Sequence, residues 1–405
     1  MSRRRRTGLL SAAALLGPLL AGPAWAEPFR VPEDYASVAA GLAAAGFGDT
    51  VSLAPGSYYE REISWPVGRA ILGRSGNPND VVIDAELQGR VLGGSDLVGE
   101  NELAYLTLRG GLGSGPYGSG LRAVGDPYLH DLIIEDCTAA GLLYGIDLYA
   151  RGSPRIENCT LRNNRSSAPG TEGGGAWLMG TPGAGGMTVE NLDVYGNEAA
   201  FSSGIHFSGL YGYLAGVNCR DNVGDGMVIY NGSVNGSGPT LEYSLFARNS
   251  GAGLAYDADL VLRSCTLVGN GSEGSPVAAL DGGSTWDFST IPEIRQCLVA
   301  FNHGPGVRGL AITPYRFECN DVYGNAGGNW VDIADPSGSN GNLALHPQFC
   351  GEGERPYALQ VDSPCAEENN DCGLLIGAYA VDCGSAGSVT SWGAVKALYG
   401  SEPKP

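Results

Sequence analysis

Lysine is almost missing from this chain: Lys396 and Lys404 are the only two, both close to the end. A lysine base or Schiff base in the body of the fold is therefore excluded. Histidine is scarce as well, with 4 in 405 residues, and His130, His303 and His346 show no metal-ligand spacing. Basic residues number 24 against 43 acidic ones, a formal charge of −19. That balance works against nucleic acid and anionic lipid, whose binding depends on neutralising phosphates. Past the first 26 residues no apolar run has the length of a membrane span. No Gly-x-Ser-x-Gly elbow or phosphate-binding loop stands in a strand-to-helix context.

What is abundant is glycine, 65 residues of 405, spread along the whole chain without a three-residue period. That pattern excludes collagen, while 43% hydrophobic residues are enough to bury a core. The first 26 residues read as an export signal. Arg3 to Arg6 are its positive end, Leu9 to Leu20 its apolar centre and Ala24-Trp25-Ala26 the cleavage site before Glu27. Export to the periplasm or the extracellular space is expected, and without the four leader arginines the charge falls to about −23.

Internal repetition decides the fold class. One phrase returns as Leu106-Thr-Leu-Arg-Gly-Gly111, Cys159-Thr-Leu-Arg-Asn-Asn164, Leu192-Asp-Val-Tyr-Gly-Asn197, Ser244-Leu-Phe-Ala-Arg-Asn249, Cys265-Thr-Leu-Val-Gly-Asn270 and Cys297-Leu-Val-Ala-Phe-Asn302. Looser copies lie at Cys137-Thr138, Cys219 to Asn222 and Asn320 to Asn325. Each copy is a short strand ending in Asn or Gly. Asn tolerates left-handed backbone, and stacked Asn side chains hydrogen-bond between coils. Strands so short bury nothing alone, but stacked in parallel they enclose a continuous core. The expected fold is all-β: a right-handed, single-stranded parallel β-helix, a solenoid with an N-terminal capping helix in the Ala-rich stretch Tyr35 to Ala45. The expected divisions are a signal peptide at 1–26, a capped β-helix at 27–348, a cysteine-containing closing segment at 349–383 and a tail at 384–405, with a short helix at Trp392 to Tyr399.

The ten cysteines form two sets. Cys137, Cys159, Cys219, Cys265, Cys297 and Cys319 occupy a position filled by Leu or Ser in other copies, so they read as small apolar core residues; disulfides between neighbouring coils are the competing reading. Cys350, Cys365, Cys372 and Cys383 cluster near the end. Three pairings are open to them, and Cys350–Cys365 with Cys372–Cys383 closes the shortest loops.

The stretch Phe47-Gly-Asp-Thr-Val-Ser-Leu-Ala-Pro-Gly-Ser-Tyr58 resembles the opening coil of right-handed β-helix repeat proteins of the pectin-lyase-like superfamily. The Cys-Thr-Leu-x-x-Asn phrase is similar to their coil motif. His346-Pro-Gln-Phe349, Leu359, Ser363-Pro364 and Ile376-Gly-Ala378 resemble the closing segment of its secreted bacterial members. The likeness runs from Val31 to Cys383 and implies the fold. That superfamily holds lyases, hydrolases, epimerases and adhesins, so it implies no single activity. The calcium-binding Asp and Arg set of the pectate lyases and the Asn-Thr-Asp and Asp-Asp signatures of the polygalacturonases find no match here.

The next strand of each coil carries the candidate chemistry. Aligned on a leading Gly or Val, its copies begin at Gly145, Gly175, Gly204, Gly226, Gly253, Val277 and Gly306. Period-two alternation turns Ile146, Leu148, Ala176, Leu178, Ile205, Phe207, Met227, Ile229, Leu254 and Tyr256 inward. The outward columns then read Asp147, Trp177, His206, Val228, Ala255, Ala279, Arg308 and Tyr149, Met179, Ser208, Tyr230, Asp257, Asp281, Leu310. In this alignment Asp257 and Asp281 are neighbours one coil apart, suited to sharing a proton or holding a hard cation such as calcium; two separately solvated carboxylates are the alternative. His206 is the candidate general acid or base, against an incidental surface role. Trp177, Tyr149 and Tyr230 would stack on sugar rings, with Asp147 and Arg308 as further contacts; packing beneath a loop is the alternative. No cofactor is expected, with a calcium ion left open at the acidic pair. The expected function is binding, with cleavage or epimerisation as its extension, of an extended polysaccharide along this face by a monomer. The competing class is a non-catalytic surface or adhesion rod. The insertions Ser166 to Gly175 and Gly282 to Ile291 would wall a groove in the enzyme reading.

Overall fold

A computed structural model describes residues 28–113, 118–139, 145–166, 174–181, 185–199, 202–209, 211–230, 238–257, 260–274, 276–282, 291–309, 315–351 and 355–383. The leader, the tail with its expected helix, and 167–173 and 283–290 of the two expected groove walls lie outside these residues. Strands wind into a parallel solenoid with one 18-stranded, one 11-stranded and one 3-stranded sheet. No described helix is long and apolar enough to cross a membrane.

Each coil runs through two columns of the long sheet, turns a corner, and then enters the 11-stranded second sheet. The leading and trailing columns are joined by a single residue in the left-handed region, such as Asp131, Asn158, Asn191, Gly216, Ser264 or Gln296, with φ between 49° and 65°. One such residue bends a strand sharply while both flanks keep pairing, which is why Tyr128–Glu135 is registered on Arg155–Arg162 on both sides of Asp131. A second left-handed residue ends the trailing column. It is not the repeated Asn, as the sequence suggests, but the residue before it: Asn163, Gly196, Asp221, Arg248, Gly269, Phe301 and Gly324. That turn aims the following Asn inward.

The Asn residues then form one continuous ladder along the rod. Asn197 Oδ1 accepts from Asn164 N at 3.0 Å and Asn164 Nδ2 at 3.1 Å. The same pair of bonds recurs to Asn222, Asn249, Asn270, Asn302 and Asn325. The remaining Nδ2 hydrogen donates to a carbonyl of the preceding coil, for example Asn249 to Cys219 O at 2.9 Å. Every polar atom of these buried amides is used, the condition for placing them inside at all.

The interior is filled by stacks such as Leu129, Ile156, Val189, Leu214, Leu241, Leu262 and Ile294, all at or below 2% exposure. Cys137, Cys159, Cys219, Cys265 and Cys297 are unpaired and buried among them, as expected of small apolar residues. The expected terminal disulfides are not the ones formed: the bonds are Cys319–Cys372 and Cys350–Cys383, and Cys365 is free. The reason is tertiary. Leu359 bridges both Phe349 and Val381, drawing Cys350 towards Cys383. Cys365 is buried instead in an apolar cluster with Leu298, Ala300, Leu359 and Ile376, where its Sγ donates to Asp321 Oδ2 at 3.2 Å.

Near the other end, the N-terminal helix is Val38–Ala44, shorter than the Ala-rich stretch. Ser37 caps it by accepting from Ala40 N at 3.1 Å, and Glu60 accepts from Val38 N and Ala39 N at 2.7 and 3.0 Å. Its buried side, Val38, Gly41 and Leu42, faces the first two strands. A Cβ at Gly41 would sit 3.1 Å from both Val31 and Val51, so glycine permits this close approach.

Candidate functional site

The second sheet sets the site by register. Leu121, Ile146, Ala176, Ile205, Met227, Leu254, Leu280 and Val307 stack inward, each no more than 1% exposed. One residue further, the outward column reads Arg122, Asp147, Trp177, His206, Val228, Ala255, Asp281, Arg308 and Val331. The adjacent column reads Tyr149, Met179, Ser208, Tyr230 and Asp257.

Seven of the eight sequence-predicted residues are where the alternation puts them, and Asp281 is not. It belongs beside Ala255 and Arg308, two positions from the expected place, and Ala279 drops out of the column. The interior of this coil needs a large apolar side chain, and Leu280 rather than Ala278 supplies it, at 0% exposure between Leu254 and Val307. Asp257 and Asp281 are therefore diagonal, roughly 8 Å apart from one rung along the rod and two residues along a strand. They cannot share a proton at that separation, and among the described residues no group of three acidic, His or Cys side chains is placed to hold a metal ion. Asp281 instead pairs with Arg308, Nη1 to Oδ2 at 3.2 Å, and the same guanidinium donates to Pro276 O. Burial raises the Asp281 carboxyl above the ordinary carboxylate range, with Arg308 opposing.

The other polar group is more compact. Arg122, Asp147, Trp177 and His206 occupy four successive rungs. Arg122 Nε approaches Asp147 Oδ2 at 3.7 Å. Asp147 is 8% exposed, and burial pushes its carboxyl up to about 6, against the pull of Arg122. His206 is equally buried, its ring edge-on to Trp177 with centroids 5.8 Å apart. Trp177 and Tyr149 are half-buried, and Tyr230 is exposed. Asp147 and His206 thus flank the indole at about 10 Å from each other, two rungs, an acid and an imidazole on either side of an aromatic platform. His206 and Asp281 are three rungs apart, about 14 Å, and cannot act on one bond.

A second network lies on the leading column of the long sheet, where sequence reading finds no signal. His130 Nδ1 and Nε2 each lie 2.8 Å from a carboxylate, Asp131 Oδ2 and Glu102 Oε1. The ring stacks on Tyr128 at 4.3 Å, and Tyr128 OH donates to Glu157 at 2.8 Å. Burial and that carboxylate push the phenol up to about 12. Glu102 and Glu157 come from the two neighbouring coils, so no local motif marks the whole network, and its bonds are satisfied within it.

The family model described as a right handed beta helix region matches residues 118–291. That match agrees with the parallel ladders, which make the fold a right-handed parallel β-helix. Among solved structures it is similar to the pectate lyase Pel9A, at 13% identity over 85% of this chain and 91% of that one, with a TM-score of 0.49. It is also similar to the A-module of a mannuronan C-5 epimerase from Azotobacter vinelandii, at 14% identity, 71% and 82% coverage and a TM-score of 0.38. A periplasmic alginate epimerase matches at 13% identity, 76% and 82% coverage and a TM-score of 0.36. No curated protein matches the chain in sequence.

Proposed function

We propose that the outward face of the second sheet binds an extended polysaccharide in an exported protein. One observation carries this reading: four successive rungs set Arg122, Asp147, Trp177 and His206 in a single column, with Tyr149 beside them. An indole flanked by a carboxyl and an imidazole offers a sugar ring a stacking surface and hydrogen-bonding groups on both sides. The rod repeats at about the advance of one sugar in an extended chain, so a glycan aligned with it meets a new rung at each residue.

Cleavage or epimerisation is the second reading, and it is favoured by Asp147. A carboxyl that titrates at about 6 is poised for general acid–base work near neutral pH, and His206 is the complementary group. Asp257 and Asp281 leave this role because the register separates them. The test is binding of the mature protein to a glycan panel, with reducing ends and unsaturated uronates followed in parallel. Trp177→Ala should weaken the best ligand by about tenfold or more, the scale of a lost stacking contact of roughly 1.4 kcal/mol. Binding unchanged in Trp177→Ala and His206→Ala would leave the non-catalytic rod as the better account.

A further inference from the structure

The two chemically equipped parts of the second-sheet face are far apart. Trp177 and Asp281 are separated by four rungs, and Trp177 and Arg308 by five. At the spacing of parallel strands these are about 19 and 24 Å. Beyond His206, on the rung after Trp177, the column up to Asp281 holds only Val228 and Ala255, with exposed Tyr230 and then Asp257 alongside. A short oligosaccharide therefore reaches one end only.

The far end also has a definite chemical preference. Asp257 Oδ1 is a buried atom with no hydrogen bond to any described residue, and Asp281, held by Arg308 and the Ala278 N–H, keeps a second buried oxygen beside it. Each is an acceptor, and a buried acceptor is stabilised by a ligand that donates. Asp281 offsets the charge of Arg308, which also donates to Pro276 O, so little net positive charge is left to attract a ligand carboxylate. Asp225 and Asp332 add further negative charge around Asp281, on a chain whose formal charge is −19.

Resting on the binding reading above, we infer that this face recognises a neutral, hydroxyl-rich glycan of about six or more sugar residues. One part stacks at Trp177 and Tyr149, and the other donates hydroxyls to Asp257 and Asp281. The ligand spans the apolar floor between them.

Calorimetry on the mature chain tests this with cello-, xylo- and manno-oligosaccharides of increasing length and with oligogalacturonides as the charged comparison. Affinity in a neutral series should rise about tenfold or more once the ligand reaches five to six residues, then level off, and oligogalacturonides of equal length should bind about tenfold more weakly. Asp257→Ala, at a carboxylate whose Oδ1 has no described partner, should flatten that rise, whereas Trp177→Ala should weaken every length. Affinity already level at three residues, or tighter binding of the galacturonides, overturns the inference and leaves the binding reading standing. No binding of any of these probes or of the glycan panel overturns both.

Discussion

Two outward faces of the same rod follow the same alternation and end differently. In the trailing column of the long sheet, one register line reads Arg109, Glu135, Arg162, Tyr195 and Arg220, then changes to Ala247, Val268, Ala300 and Tyr323. The change coincides with cover. Residues 343–351 and 355–383 fold back over this part of the sheet, with Phe349, Tyr357 and Tyr379 on Leu245, Ala247 and Val268, and Leu359, Cys365 and Ile376 on Leu298 and Ala300. Polar contacts fix the fold-back: Ala378 N donates to Thr266 Oγ1 at 2.9 Å and Tyr379 OH to Asn218 Oδ1 at 3.1 Å. In the second sheet the apolar stretch is only Val228 and Ala255, both half-buried, between polar rungs. A run of apolar outward residues in a solenoid marks a surface its own chain covers; an interrupted one leaves a face for something else.

The comparison can be broken or sharpened by experiment. The largest effect is expected inside both faces, at the shared ladder. Asn249→Ala strands the Asn222 amide and the Cys219 carbonyl, which it now satisfies at 3.2 and 2.9 Å, and should cost about 3–5 kcal/mol in urea unfolding. A loss below about 1 kcal/mol would show that the ladder is not what registers the coils. Next, Leu298→Ala under the fold-back should cost about 2–4 kcal/mol, whereas Val228→Ala, at an outward position of the second sheet, should cost less than about 1 kcal/mol. Equal losses at the two sites would erase the distinction between covered and open faces.

The third effect depends on pH. The folded protein holds the Asp147 proton more tightly than the unfolded chain does, since its carboxyl is raised from 3.8 to about 6. Stability therefore falls as pH rises through that interval, by up to roughly 3 kcal/mol, and is fully recovered below it. Asp147→Asn should raise the melting temperature at pH 7.5 and change little at pH 3.5; a uniform shift at both would mean the carboxylate's desolvation is not responsible. The smallest effect belongs to the uncovered charged part of the long sheet. Arg162→Ala removes a partly exposed ion pair with Glu135 and should cost less than about 1 kcal/mol, decreasing in high salt.

Much of this was legible in the chain. The returning phrase with its Asn marked the trailing column, and the ladder runs through Asn164, Asn197, Asn222, Asn249, Asn270, Asn302 and Asn325 as the spacing implied. Alternation also sorted inward from outward residues on the second sheet, from Ile146 to Tyr256. It failed at Asp281 because Val277-Ala-Ala-Leu-Asp281 offers two frames of the same parity, and only packing against Leu254 and Val307 selects Leu280 for the interior. The terminal disulfides failed for a related reason: closeness along the chain favoured short loops, while the bridge partners of Leu359 joined Cys350 to Cys383. The His130 network was invisible because it is assembled across coils.

Sequence alone determined that this protein is a stack of short parallel coils with a polar face, because periodicity and turn residues are local properties written into every repeat. Tertiary structure decided which carboxylates are neighbours, which cysteines join and which outward surface is covered. Those outcomes depend on register between coils and on a fold-back contact, and neither is encoded within any single repeat.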